Sequence, residues 1–154
     1  MSDSAVMGEA SDKALEIEKL TVQQGRLVVD VRLPRAQWRR STPDLMRALM
    51  QTYPDLPYHA CVNGVGDTFV AVMTDTDLAH VFEHVMISEM TRSSEHADAR
   101  FVGTTEWVDA QRGQARVQVS FESDLDALRA ARNAADAINA ACASAERSAE
   151  RTGE

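Results

Sequence analysis

The run Ile17-Glu18-Lys19-Leu20-Thr21-Val22 alternates polar with apolar residues, and Leu27-Val28-Val29-Asp30-Val31-Arg32-Leu33 does so again after Gln23-Gln24-Gly25-Arg26. Successive side chains of a strand point to opposite faces, so the two runs predict a β-hairpin around Gly25. The period then changes. Leu45, Met46, Leu49 and Met50 recur at helical spacing, Ser41 or Thr42 supplies a cap, and Pro43 stands at the first position. This helix ends near Tyr53-Pro54, because a residue before proline is pushed out of the helical region.

Residues 55–67 carry Pro57, Asn63-Gly64 and Gly66 and are expected to form a loop. The apolar run Thr68–Met73 reads as a short strand. Thr74-Asp75-Thr76-Asp77 caps a helix of roughly residues 76–91, in which Leu78, Phe82, Val85 and Met86 face the core. Two more strands are expected at Arg100–Trp107 and Ala115–Glu122, around Gly113. A long alanine-rich helix then runs from Asp124 to about Arg147, with Leu125, Leu128, Ala131, Ala135, Ile138 and Cys142 as its apolar stripe. Strands followed by helices in this order predict an α+β fold. It is a single domain over residues 14–147, a small mixed or antiparallel sheet with about three helices, the last one long. Residues 1–13 read as a disordered leader and residues 148–154 as a frayed tail.

Charge narrows the partners. The chain has a formal net charge of −8, which argues against nucleic acid and against an anionic membrane surface, since both require a basic footprint. A cationic ligand suits it better. No stretch approaches a membrane span, and the first residues show neither a basic nor an apolar signal region. Cys61 and Cys142 lie far apart and form no disulfide framework, so the expected address is a reducing cytoplasm. The sequence leaves the assembly open, a homo-oligomer included.

One pentapeptide carries candidate chemistry. His80-Val81-Phe82-Glu83-His84 reads H-x-x-E-H, the inverted zinc-hydrolase motif. Residues four apart share a helix face, so His80 and His84 are positioned to hold one metal with Glu83 beside it to act on water. The bland reading is two surface histidines and a solvated glutamate on an amphipathic helix. His59 and Cys61 stand two apart, a spacing compatible with metal, although such a pair is more often a packed loop histidine and a buried thiol. His96 is expected in solvent, Trp38 and Trp107 in packing, and Arg35, Arg39 and Arg40 on a solvated basic face. No Ser-His-Asp set, phosphate loop or dinucleotide fingerprint is evident.

Taken together, Leu56-Pro57-Tyr58-His59-Ala60-Cys61, Asn63-Gly64, Phe69, His80-Val81-Phe82-Glu83-His84-Val85 and the later Val117-Gln118-Val119-Ser120-Phe121-Glu122 make the chain resemble the N-terminal domain of cyanophycin synthetases, which polymerise aspartate and arginine. The resemblance runs from about Leu20 to Ala140. It implies an α+β fold and a metallopeptidase-like activity that trims the polymer into primers. The ATP-grasp and Mur-ligase-like parts of those synthetases have no counterpart in the chain, so a separate protein of either kind is an implied partner.

Carried over residue by residue, the resemblance puts zinc on His80 and His84 and makes Glu83 the catalytic base. Its third, acidic ligand falls on Asp126, with Asp124 and Glu122 as runners-up. Acidic residues at a helix start also suit the helix dipole without any metal. The family's arginines in the glycine-rich turn and before the later glutamate are replaced here by Val65-Gly66-Asp67-Thr68 and Phe101-Val102-Gly103-Thr104-Thr105-Glu106. If those arginines bind polymer carboxylates, this chain recognises a different substrate. Two functions follow from the resemblance. One is zinc-dependent hydrolysis of a peptide or isopeptide bond in an aspartate–arginine polyamide or a relative of it. The alternative is a non-catalytic module that binds such a polymer or docks on a ligase.

Overall fold

Alternating valines build the centre of the molecule. The computed structural model describes residues 12–61, 64–96 and 98–152, and the expected leader lies almost wholly outside them. Four strands, β1 (Glu16–Gln23), β2 (Arg26–Arg32), β3 (Gly103–Asp109) and β4 (Gln114–Ser120), form one antiparallel sheet in the order β1-β2-β4-β3. In its central pair, Leu27 opposes Val119, Val29 opposes Val117 and Val31 opposes Ala115. All six side chains are buried, and cross-strand apolar pairs of this kind stabilise a sheet by about 0.2–1 kcal/mol each. The expected hairpin closes at Gly25, with φ 79°. The turn between β3 and β4 requires Gly113: its φ is 71°, and an added Cβ would sit 2.5 Å from the Leu33 carbonyl oxygen.

Of the three helices, α1 (Pro43–Thr52), α2 (Leu78–Ser93) and α3 (Asp124–Thr152), the last two cover the apolar face and α1 packs against α3. The start of α1 matches expectation, with Thr42 Oγ1 accepting from Leu45 N at 3.1 Å. α3 continues to Thr152, five residues beyond its expected end. Its buried stripe is mostly alanine, including Ala127, Ala130, Ala131, Ala134 and Ala141. Small side chains bring the helix close to β1, β2, α1 and α2, all of which it touches. Leu125, expected on this stripe, is 67% exposed because the helix meets its neighbours only from Ala127 onward.

The apolar run at 68–73 corrects another expectation. It is a short 3₁₀ turn, Phe69–Ala71, and not a strand. Phe69 and Met73 are buried while Ala71, which a strand would place on the same side, is exposed. Met73 N donates to Phe69 O at 2.9 Å, the spacing of a helical turn.

α2 lies between α3 and the β3–β4 edge. A helix enclosed on most sides is apolar on most sides, and Val81, Phe82, Val85, Met86 and Met90 are all buried. The three arginines before α1 are structural. Arg35 pairs with Glu146, Arg39 donates to the carbonyls of Leu33 and Ala110, and Arg40 pairs with Asp75 and Asp77. Trp38 is buried and donates through Nε1 to Glu146 Oε2 at 2.9 Å. At the other end of the chain, Asn139 Oδ1 accepts from Ala14 N and Leu15 N while its Nδ2 donates to Leu15 O, which clasps the lead-in to β1 onto α3. Among the described residues no helix is long and apolar enough to cross a membrane.

Candidate metal centre

The loop after α1 folds back on itself. Ala60 pairs with Thr68, Cys61 N donates to Asp67 O, and Phe69 N donates to His59 O. In extended chain, residues two apart share a side and lie about 6.6 Å apart, while one helical step of four residues rises about 6 Å. His59 and Cys61 therefore match the spacing of His84 and His80 on α2. His59 Nδ1 lies 3.0 Å from His84 Nδ1, and Cys61 Sγ lies 3.5 Å from His80 Nε2.

Cys61, His80 and His84 form a group whose ligand atoms all lie within 4.8 Å of one another, the one His/Cys/Asp/Glu cluster of this kind among the described residues. A thiolate with two imidazoles is a donor set that zinc favours. Tetrahedral zinc, with Zn–S about 2.3 Å and Zn–N about 2.0–2.1 Å, sets its sulfur and nitrogen donors about 3.6 Å apart, close to the Cys61–His80 separation. The donor set fits the metal.

Asp126, expected as the third ligand, does not join the histidines. It occupies the first turn of α3, where Ser123 Oγ accepts its N–H and its carboxylate pairs with Arg129 at 3.3 Å. Helix dipole and ion pair account for its position. Glu122 accepts from Ser94 Oγ. Asp124 shares that first turn with Asp126, and neither Glu122 nor Asp124 enters the cluster.

Outer partners fix each ring. His80 Nδ1 lies 3.0 Å from Thr76 Oγ1, which leaves Nε2 facing Cys61. Phe69 stacks on His84, with ring centroids 4.1 Å apart, and meets His80 edge-on at 5.2 Å. Desolvation dominates the electrostatics. Burial pushes the His84 pKa down to about 3, with His80 and His59 adding to the effect. Burial also lowers His80, against the opposing pull of Asp77. Both rings are thus neutral near pH 7, as ligands must be.

Glu83 is 5% exposed. Burial raises its pKa, opposed by the hydrogen bond from Thr105 Oγ1 to Oε1 at 2.7 Å. The other oxygen, Oε2, lies 3.9 Å from His84 Nε2. Thr105 comes from β3, and so does Gly103. A Cβ at Gly103 would lie 2.7 Å from Glu83 Oε2, so only glycine leaves room for this carboxylate.

A cavity of about 820 Å³ opens over the group, lined among others by Cys61, Asp67, Asp77, His80, Glu83 and Thr105. His84 is expected at a cleft, yet it lies behind the cavity wall, 2% exposed. A family model, the cyanophycin synthase-like N-terminal domain, matches residues 26–143. The chain belongs to this family. The match in this cyanophycin synthase-like N-terminal domain runs from β2 well into α3 and takes in Cys61, His80, His84, Glu83, Gly103 and Thr105. No curated protein and no solved structure matches the chain.

The sequence singles out His80, Glu83 and His84, and it reads Cys61 as packing more readily than as a ligand. It gives no site role to Thr76, Gly103 or Thr105, which the structure sets against His80 and Glu83. The legible signal was the two-residue step from His59 to Cys61 set against the four-residue step from His80 to His84.

Proposed function

We propose that the protein is a zinc-dependent hydrolase of a peptide or isopeptide bond, with Cys61, His80 and His84 as ligands and Glu83 as general base. The observation that carries this reading is the convergence of a thiol and two neutral imidazoles beside a buried carboxylate at the floor of a cavity. Three protein ligands leave a fourth position open, the arrangement of catalytic zinc. Zinc held there would supply Lewis acidity, polarising a scissile carbonyl and lowering the pKa of a water. Glu83 has a carboxyl raised by burial, which suits it to take a proton from the attacking water and return it to the leaving amine. The Thr105 hydroxyl holds one oxygen of Glu83, so the other is the oxygen that works.

Asp67, Glu83 and the Arg40-paired Asp77 are among the residues lining the cavity, whose lining includes no lysine or arginine among the described residues. Such a wall favours a cationic side chain, as in an aspartate–arginine polyamide or a related polymer. A separate ATP-grasp or Mur-ligase-like protein would make the polymer.

Wild-type protein and Glu83→Gln are to be loaded with zinc and given aspartate–arginine isopeptides and related basic peptides. Glu83→Gln should keep the metal and lose roughly two to four orders of magnitude in turnover. Equal cleavage by both would trace the activity to a contaminant and sink the reading. One observation favours the second reading, a polyamide-binding or ligase-docking module: the burial of His84 suits a closed, structural metal site. Tight polymer binding with no metal-dependent cleavage would select that module.

A further inference from the structure

His84 is held by a relay that starts outside the ligand set. Asp55 lies before the 3₁₀ turn Leu56–Tyr58, next to the end of α1. Its Oδ2 is 2.8 Å from His59 Nε2, and Ser88 Oγ donates to both of its oxygens at 2.8 Å. Burial pulls the Asp55 carboxyl upward, but the hydrogen bonds from His59 and Ser88 together outweigh it and hold the pKa below its ordinary value. Asp55 is therefore an acceptor, and the His59 proton sits on Nε2. The other ring nitrogen of His59, Nδ1, faces His84. The nitrogen facing it at 3.0 Å is His84 Nδ1; with the proton of this contact on His84, every donor in the run points toward the Asp55 carboxylate. His84 carries one ring proton, and that proton is now assigned. Its Nε2 is left as a bare lone pair on the side of Glu83.

We propose that Asp55 and His59 are positioning residues that fix the tautomer of His84 and so present its Nε2 to the metal. The inference rests on the metal reading above, but the tautomer itself is a property of the metal-free protein. His59 is therefore no fourth ligand: its single lone pair is occupied by His84. Partners of metal-bound histidines commonly contribute 10- to 100-fold in affinity. An imidazole in turn oriented by a carboxylate fills that place here, while His80 relies on the Thr76 hydroxyl alone.

Long-range ¹H–¹⁵N NMR of the imidazoles in metal-free protein reads the tautomers directly. Wild type should show His59 protonated on Nε2 and His84 on Nδ1. Asp55→Asn, turning a donor toward His59, should reverse both rings. Zinc affinity of Asp55→Asn and His59→Ala should fall about 10- to 100-fold. His59→Gln, whose carbonyl can accept from His84 Nδ1, should recover most of the loss. A role in packing alone would lower thermal stability without moving the His84 tautomer. Wild-type His84 protonated on Nε2, or a tautomer and affinity unchanged in every variant, would overturn the relay. Wild-type protein with the expected tautomers but no zinc binding would overturn the metal reading and leave the relay standing.

Discussion

Replacing Gly103 with alanine tests whether the strand edge was shaped around Glu83. Left to itself, the exchange should stabilise a strand by about 0.5–1 kcal/mol, because glycine loses more backbone freedom on folding. The new methyl, however, would lie 2.7 Å from Glu83 Oε2, 2.8 Å from Cγ and 2.9 Å from Cδ. Comfortable carbon contacts begin near 3.5 Å. Three atoms of one buried side chain are overlapped at once, and Glu83 cannot retreat without losing the bond from Thr105. Overpacking of this size costs about 1–3 kcal/mol, and a hydrogen bond to a charged group contributes about 1.5–3 kcal/mol. Less the gain in backbone freedom, a net loss of about 0.5–2 kcal/mol follows. The assay is urea unfolding of wild type, Gly103→Ala, Glu83→Ala and the double variant. With Glu83 truncated the overlap is gone, so Gly103→Ala should turn from destabilising to neutral or stabilising. The coupling energy should reach about 1–3 kcal/mol. Additive single effects would refute the steric argument.

Two more outcomes follow from the same cluster. His84 protonates near 6.5 when unfolded and near 3 when folded, so its contribution to stability is complete above pH 6.5 and lost as pH falls toward 3. For metal-free protein that loss is on the order of 3–5 kcal/mol, and urea midpoints measured against pH should flatten in His84→Gln; a parallel profile would contradict it. Burial pushes the Cys142 thiol up to about 12, so iodoacetamide at neutral pH should label Cys61 and spare Cys142, and zinc should protect Cys61. Labelling of Cys142 in folded protein would count against the packing of α3.

The parts of the fold written in short-range pattern were legible. Thr42-Pro43 announced α1 because cap and first turn are local, and the β1–β2 hairpin followed from alternation around Gly25. The run at 68–73 was misread because five consecutive apolar residues carry no period. Only burial of Phe69 and Met73 together reveals the turn. Leu125 was misplaced because periodicity gives a face but not the point at which a helix meets its neighbours. In the site, His80, Glu83 and His84 lie within one helical turn and a half and could be read as a unit. Cys61, Asp55 and Thr105 come from a loop and a strand whose approach to α2 depends on tertiary structure. Acidic residues after β4 suit a helix start as well as a metal, and Asp126 sits in the first turn of α3 paired with Arg129, apart from the histidine group.

The Asn139 clasp has a bearing on how the chain folds. It joins backbone groups 124 and 125 positions away, and closing a loop of that length costs about 4 kcal/mol in chain entropy. Such a contact forms late, after the local hairpin and helices already exist. Until it closes, β1 is held chiefly by its pairing with β2, and its departure would bare the edge of a strand rich in Leu27, Val29 and Val31. Unpaired apolar edges recruit other chains. A single amide thus helps keep that edge covered, latching the first strand by way of the last helix.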